Sequence, residues 1–248
     1  MARLVLTQPL PRSLQLARSL EARGHRVLGL PFTRIETLKS PGLAASLGAY
    51  GCVIAVSPAA VEALAEAVAG EWPQPGPSIG LIGPGSLAAL QASSLAACDL
   101  HIIRPLVPPY DAQSLIAMPE VAPTRLRKAL VVRGEAGRDD WIASLRRRGT
   151  EVDLLALYAR VAIEPAAQDR QTLVSWLEND TPVYCLFTQT DAVQAFCALP
   201  ETARLAGAAA PCIALAIHER IAEVARNAGF SRVSVIEPGE SAIAAAIE

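Results

Sequence analysis

The sequence predicts an α/β protein with two similar domains, each built on a parallel β-sheet. Three kinds of strand–helix segment occur twice along the chain, in the same order. The predicted strands are apolar along their length, which is usual for parallel strands covered by helices on both faces. Strands that alternate with helices in this way are typical of parallel sheets with right-handed crossovers. The 248 residues suffice for two domains of ordinary size.

The first repeat is a strand, a polar loop, an arginine-rich helix and a second strand. It covers residues 4–31 and returns over residues 129–158. Gly24 and Gly149 follow the two helices, at the place where a glycine in the left-handed conformation commonly ends a helix. The pattern therefore predicts two matching strand–helix–strand segments.

The second repeat is a short apolar strand followed by a helix that contains Ala-Val, at residues 53–61 and 184–193. Ser57, with Pro58 next to it, is a good N-cap for the first helix. In the second copy, Thr190 or Asp191 can take the same role.

The third repeat is a strand, a small polar turn, a helix and another short strand. It begins at residue 79 in one copy and at residue 213 in the other. In the later copy we expect the helix to end at Gly229, ahead of a strand at 233–236.

The composition argues against several classes of protein. A hydrophobic fraction of 52% and a mean hydropathy of +0.31 favour filled cores over disorder. The net charge of −2 gives no general attraction to nucleic acid. The five cysteines are widely spaced, so we expect neither a disulfide framework nor a metal site. No apolar stretch approaches the ~20 residues that span a bilayer, and the first residues lack a signal-peptide layout. We therefore expect a cytoplasmic protein that does not bind membranes.

Several short motifs follow one another along nearly the whole chain. They are Val-Leu-Thr-Gln-Pro at 5–9, Ala-Val-Ser-Pro-x-Ala-Val at 55–61, Ile-Gly-Pro-Gly-Ser at 82–86, Pro-Tyr-Asp-Ala-Gln-Ser-Leu at 109–115, Val-Val-Arg-Gly-Glu-Ala-Gly-Arg at 131–138, Gly-Thr-Glu-Val at 149–152, Tyr-x-Arg at 158–160, Phe-Thr at 187–188 and His-Glu-Arg-Ile-Ala at 218–222. In their order and spacing these motifs resemble the uroporphyrinogen-III synthase family. The chain departs from the family's pattern at Gln8, Ser86, Gln189 and His218, where the usual residues are arginine, threonine, serine and serine.

The resemblance implies how the repeats are divided between the two domains. One domain is discontinuous and comprises residues 1–31 and 164–248, and the other comprises residues 37–156. Two linker strands, at 32–36 and 157–163, are expected to pair as a two-stranded β-ladder between these flavodoxin-like domains. Such a ladder is only marginally stable alone, so we expect hinge motion.

The resemblance also implies the reaction. The substrate is hydroxymethylbilane, a linear chain of four pyrroles with carboxylate side chains, and the product is uroporphyrinogen III. Such a hydro-lyase of tetrapyrrole biosynthesis removes water and closes the macrocycle with ring D inverted, and it requires no cofactor and no metal. The enzyme must position ring D, and a general acid would help hydroxide to leave.

Tyr158 is the candidate catalytic residue. A tyrosine phenol ordinarily has a pKa of about 10 and is protonated at neutral pH, so it can donate a proton. The alternative is a packed tyrosine whose hydroxyl bonds to a backbone carbonyl. Its place in the family's Tyr-x-Arg motif favours the catalytic role.

The substrate-binding candidates lie at turns that follow predicted strands, where helix N-termini offer free N–H groups to carboxylates. They are Ser57, Gly83, Pro84, Gly85, Ser86, Arg133, Gly134, Arg138, Thr188, Gln189 and His218. Several have a structural alternative: the serines and His218 could simply cap their own helices. Arg133 and Arg138 could pair with Glu135, Asp139 or Asp140 instead of a substrate carboxylate. The segment Gly83-x-Gly85 lacks the further residues of a nucleotide-binding fingerprint.

Two other interpretations stay open. The chain could be a non-catalytic, two-lobed binding or regulatory relative that recognises an anionic ligand, or a flavodoxin-like cofactor carrier. Under the synthase interpretation the partner is the small-molecule substrate, with no nucleic acid and no membrane. We expect a monomer that could contact the preceding enzyme of the pathway transiently.

Overall fold

The computed structural model describes residues 1–10, 12–122, 126–136, 140–179, 181–202 and 212–248. In the described residues no helix is long and apolar enough to cross a membrane. The strands of this part of the chain are β1 (Arg3–Leu6), β2 (Arg26–Gly29), β3 (Thr33–Thr37), β4 (Cys52–Ala55), β5 (Ser78–Leu81), β6 (Ile102–Ile103), β7 (Lys128–Gly134), β8 (Glu151–Ala162), β9 (Val183–Phe187), β10 (Cys212–Ala216) and β11 (Val233–Val235). The α-helices are α1 (Arg12–Ala22), α2 (Leu43–Ser46), α3 (Pro58–Val68), α4 (Pro84–Gln91), α5 (Ala112–Ile116), α6 (Asp140–Arg147), α7 (Ala167–Leu177), α8 (Thr190–Cys197), α9 (Glu219–Asn227) and α10 (Glu240–Ile247).

The predicted α/β class is confirmed. The strands form a five-stranded sheet in the order β11-β10-β9-β1-β2 and a six-stranded sheet in the order β3-β8-β7-β4-β5-β6. β1 pairs in parallel with β2 and β9, and β4 pairs in parallel with β5 and β7. In both sheets, ligand sites are therefore expected at the carboxyl ends of the strands.

The repeats predicted from the sequence are present as strand–helix segments. Gly24, Gly149 and Gly229 follow their helices with φ of +84°, +93° and +101°, the left-handed conformation that glycine adopts without strain. Ser57 caps α3 as predicted. The N-cap prediction for the other copy was wrong. Thr190 is already the first helical residue, and its hydroxyl bonds to the Asp191 carboxylate at 3.2 Å.

The chain divides into two compact units. A discontinuous unit comprises Met1–Arg34 and Val161–Glu248, and a central unit comprises Ile35–Arg160. Alternate residues of each sheet contribute to two separate apolar clusters, because successive side chains of a strand point to opposite faces. In the central unit, α3 and α4 cover one face of the sheet, and α5 and α6 cover the other. Each unit thus has its own two-sided core.

β3 and β8 are neighbours at one edge of the six-stranded sheet. The amide of Leu38 donates to the carbonyl of Leu157 at 2.7 Å, and the amide of Ile163 donates to the carbonyl of Phe32 at 2.9 Å. The boundary between the two units falls inside both strands. Hinge motion at this position stays a prediction.

The five cysteines are free thiols. Cys185 and Cys212, on neighbouring strands, have sulfur atoms 4.0 Å apart. Burial raises the pKa of Cys52 to about 12, so this thiol stays protonated. Within the described part of the chain, no group of three or more His, Cys, Asp or Glu could hold a metal ion.

Candidate active site

A cavity of about 380 Å³ opens at the carboxyl ends of the strands in the central unit. It is lined by the residues that follow β4 and β5, by the ends of β7 and β8, and by the N-terminal turns of α5 and α6. The lining residues are Val56, Ser57, Ile82, Asp111, Ala112, Gln113, Val131, Arg133, Gly134, Ala136, Asp140, Trp141, Ile142, Tyr158 and Arg160. The cavity lies where open α/β sheets bind their ligands.

Tyr158 forms part of the wall of this cavity and is 4% exposed. Its hydroxyl lies 3.1 Å from Oγ of Ser57. The guanidinium of Arg160 lies 6.0 Å from the centroid of its ring, within the range of a cation–π interaction. The phenol is thus buried, hydrogen-bonded and next to a positive charge.

A β-bulge places Tyr158 beside the end of β7. Arg133 pairs with Ala156, but the next residue, Gly134, pairs with Tyr158, so Leu157 is an extra residue in β8. Leu157 and Tyr158 are both buried as a result, although successive residues of a regular strand face opposite sides. Bulges of this kind often redirect a side chain next to an active site.

Gly134 allows the tyrosine ring to approach the backbone of β7. A Cβ atom at this position would lie 2.8 Å from Cε2 and 2.9 Å from Cζ of Tyr158, which is closer than carbon atoms pack. The backbone also joins the two strands here, because the amide of Glu135 donates to the carbonyl of Tyr158 at 3.1 Å. The ring of Tyr158 can therefore occupy this position only because Gly134 has no side chain.

Ser57 connects Tyr158 to a helix N-terminus. Its Oγ accepts a hydrogen bond from the amide of Ala60 at 3.1 Å, as an N-cap does. The following helix, α3, is 11 residues long, and its N-terminal end carries a partial positive charge. The hydroxyl of Tyr158 is thus linked through one serine to that positive end.

The cavity contains charges of both signs. Arg133 is buried and donates from Nε to the carbonyl of Gly134 at 3.2 Å. Asp111 caps α5, and its Oδ1 accepts from the amide of Ser114 at 2.8 Å. Arg160 on β8 and Asp140 at the start of α6 also line the cavity. Its wall can therefore bind an anionic group at one point and position a proton donor at another.

Comparison with known proteins decides the family. A family model described as uroporphyrinogen-III synthase HemD matches residues 15–244. The chain belongs to the uroporphyrinogen-III synthase family. Among solved structures, it resembles a mutant uroporphyrinogen III synthase from the extremely thermophilic bacterium Thermus thermophilus, with 18% identity, a TM-score of 0.56, and 98% of this chain and 96% of that one covered. It also resembles uroporphyrinogen-III synthetase from Helicobacter pylori, with 15% identity, a TM-score of 0.54 and complete coverage of both chains. At these identities the likeness shows a shared fold.

Four of the site residues suggested by the family resemblance line the cavity. They are Ser57, Arg133, Gly134 and Tyr158. Arg138, which was also predicted, lies outside the described residues. Ser57 follows β4, and the other three belong to β7 and β8, so all four lie on adjacent strands of the sheet or directly after them.

The turn after β5 does not contribute the predicted residues to this cavity. Ile82 lines it, whereas Gly83, Pro84, Gly85 and Ser86 are not among the lining residues. Gly83 is the N-cap position of α4, and a Cβ there would lie 3.2 Å from Cβ of Tyr110. Ser86 is buried within the first turns of α4. Their roles in binding stay predictions.

The other three predicted residues belong to the discontinuous unit. Thr188 and Gln189 follow β9, and His218 follows β10, so all three lie at the carboxyl end of that sheet. The capping alternative for His218 is confirmed, because its Nδ1 accepts from the amide of Arg220 at 3.1 Å. Gln189 occupies the N-cap position of α8 without a side-chain cap bond. Substrate contact by these residues stays a prediction.

Sequence reasoning missed several residues of the cavity wall. Asp111 and Gln113 stand at the start of α5, far in sequence from the strands whose ends they adjoin. Trp141 is buried in the first turn of α6. Arg160 was part of the Tyr-x-Arg motif, and its spacing of two residues from Tyr158 was the one available signal that both could lie on one face of a strand.

Proposed function

We propose that this protein is a uroporphyrinogen-III synthase that converts hydroxymethylbilane to uroporphyrinogen III, with loss of water and inversion of ring D. Membership of the family supports the class of reaction. The observation that carries the proposal is the buried phenol of Tyr158 on the wall of the cavity, hydrogen-bonded to Ser57. It provides a proton donor where the substrate's hydroxyl could leave.

The size and charge of the cavity suit one end of an anionic substrate and not the whole molecule. Its volume of about 380 Å³ is near the small end of the range for small-molecule sites, so a chain of four pyrroles extends beyond it. Arg133 and the N-terminal ends of α3 and α6 supply positive charge and N–H dipoles to carboxylates. We propose that the hydroxymethyl end of the substrate enters here, beside Tyr158.

The first step is acid-assisted loss of the hydroxyl group. The phenol of Tyr158 gives its proton to the leaving oxygen while the carbon–oxygen bond breaks. This yields water, a phenolate and a cationic azafulvene on the pyrrole. The substituted carbon of ring D then attacks the azafulvene carbon to form a spiro intermediate. Fragmentation and reclosure invert ring D, and the proton that the ring carbon finally loses balances the one taken from the phenol.

The remaining task is positioning. Closure without inversion gives the type I isomer, so the protein must hold ring D where the spiro route is faster. Such positioning does not need the phenol proton. Loss of the tyrosine hydroxyl should therefore slow the reaction without abolishing it.

Replacement of Tyr158 by phenylalanine tests this proposal. We expect Tyr158→Phe to lower kcat by about 10²-fold, the lower end of what a general acid contributes, with uroporphyrinogen III still the product. Initial rates are measured with freshly generated hydroxymethylbilane, and the type I and type III isomers are separated by chromatography. Tyr184→Phe, at a tyrosine of β9, is the matched control.

Two outcomes would contradict the proposal at different levels. Full turnover by Tyr158→Phe would remove the catalytic role of the phenol and leave the synthase assignment standing. If the wild-type protein gave only the type I isomer at the spontaneous rate, it would be a binding or regulatory relative. A monomeric state and a cytoplasmic location stay predictions from the sequence.

A further inference from the structure

We propose that Ser57 acts on the reaction through the hydroxyl of Tyr158, as a positioning residue and not as a contact to substrate carboxylates. Ser57 would donate its hydroxyl proton to Oη of Tyr158, which leaves the phenol's own proton free to point at the substrate. It would then stabilise the phenolate that remains after proton transfer. This inference rests on the proposed synthase function.

The hydrogen bonds of Ser57 support this arrangement. A serine hydroxyl has one proton to donate and two lone pairs that accept. The amide of Ala60 uses one lone pair at 3.1 Å, and Oη of Tyr158 lies at the same distance on another side. Either oxygen could donate in the resting protein. Once the phenol has lost its proton, Ser57 has to be the donor, because a phenolate can only accept.

The helix that Ser57 caps strengthens this donor. A hydroxyl that already accepts a hydrogen bond is polarised and donates more strongly. The N-terminal end of α3 adds a positive potential at the same oxygen. A negative phenolate next to this group is therefore stabilised relative to the neutral phenol.

The surroundings keep the two hydroxyls together. The ring of Tyr158 lies against the backbone of β7 at Gly134, and the carbonyl of Tyr158 accepts a hydrogen bond from the amide of Glu135. Ser57 is held by its bond to the first turn of α3. The guanidinium of Arg160, 6.0 Å from the ring centroid, is a second positive group near the phenol. The 3.1 Å distance between the two hydroxyls thus follows from the backbone on both sides.

A double-mutant cycle tests the inference with hydroxymethylbilane as substrate. We expect Ser57→Ala to lower kcat by about tenfold, since a hydrogen bond to a charged group is worth roughly that factor, with little change in KM. In the Tyr158→Phe background, Ser57→Ala should cause no further loss, because the hydroxyl through which it acts is gone. If the two losses multiply, or if KM rises instead of kcat falling, Ser57 contacts the substrate directly and the inference is wrong.

Two further variants separate the role in catalysis from the role in capping. Ser57→Thr keeps both the cap and the hydroxyl proton, so it should retain most of kcat. Ser57→Asp keeps the cap but can only accept, so kcat should fall although the thermal midpoint is preserved. Wild-type kcat in Ser57→Asp would overturn the inference. A wild-type protein that makes no type III isomer would overturn the proposed function, and this role with it.

Discussion

The phenol of Tyr158 is positioned by neighbours that each act in a different way. Ser57 contacts the hydroxyl, Arg160 lies over the ring, and Gly134 allows the ring to approach the backbone. Ser57 and Arg160 contribute polar groups. The contribution of Gly134 is steric, and it can therefore be tested without removing a hydrogen bond.

Gly134→Ala should displace the ring of Tyr158. The added Cβ would lie 2.8 Å from the ring, so the ring or β7 must move. We expect the free energy of unfolding to fall by about 1–3 kcal/mol, as in other overpacked sites, and kcat to fall more than about tenfold, because a small misplacement is costly in catalysis. Denaturant unfolding and the synthase assay measure the two effects.

Gly48→Ala is the matched control for this substitution. A Cβ at Gly48 meets no atom within 4 Å, so stability and turnover should stay near those of the wild type. Equal behaviour of the two alanine variants would show that the close approach at 134 is not required.

The strand ends opposite the cavity carry a polar cluster that consists of Tyr50, Lys128, Glu151 and Asp153. The ammonium of Lys128 lies 2.9 Å from Glu151 and 3.2 Å from Asp153, and the hydroxyl of Tyr50 donates to Asp153 at 2.9 Å. Lys128 begins β7 and Glu151 begins β8, so the cluster joins the amino ends of two parallel strands. The hydrogen bond from Tyr50, followed by that from Lys128, lowers the pKa of Asp153.

The lowered pKa of Asp153 predicts a contribution to stability that acid removes. A carboxyl group whose pKa is lower in the folded state stabilises the fold above its unfolded pKa of about 3.8 and loses this effect as the pH falls through the folded value. Asp153→Asn should therefore be less stable than the wild type near neutral pH, and the difference should narrow below about pH 4. The effect should be small, because the group is exposed.

Denaturation midpoints measured from neutral to acid pH check this prediction, with Asp99→Asn as a control at a carboxylate outside the cluster. The pKa of Lys128 is raised, chiefly by its bond to Glu151, so at alkaline pH the ion pairs of the cluster are lost only when the pH rises through this raised value. If the difference in denaturation midpoint between Asp153→Asn and the wild type stayed constant across the acid range, the proposed link between the lowered pKa of Asp153 and stability would be wrong.

The two compact units differ in how the chain forms them. The central unit is one continuous stretch, Ile35–Arg160, and it contains the whole cavity. The other unit needs both ends of the chain, because β1 and β2 lie beside β9 in its sheet. We propose that the two units are domains, each stabilised by its own core.

Expression of the central unit alone tests this proposal. A fragment of residues 35–160 retains β4–β7, most of β8 and both of its apolar clusters, so we expect it to fold and to unfold cooperatively, as measured by circular dichroism. A fragment of residues 161–248 should not fold, since it lacks β1 and β2 and leaves β9 with an unpaired edge. A disordered 35–160 fragment would contradict the division.

Local patterns in the sequence sufficed for the repeated strand–helix segments of this protein. The strand–helix repeats, the glycines that end helices and the N-cap at Ser57 depend on residues close together in the chain, and they were predicted correctly. The motif order also indicated the family. The N-cap of α8 was missed because several polar residues in succession could have started that helix.

The candidate site depended on contacts that no local pattern contains. The extra residue Leu157 in β8, the close approach of Tyr158 to Gly134 and the presence of Asp111 in the wall of the same cavity arise from strand register and packing between distant segments. A shift of one residue in register reverses every side chain of a strand. For this reason the sequence could name the tyrosine, but only the tertiary structure could decide which neighbours position it.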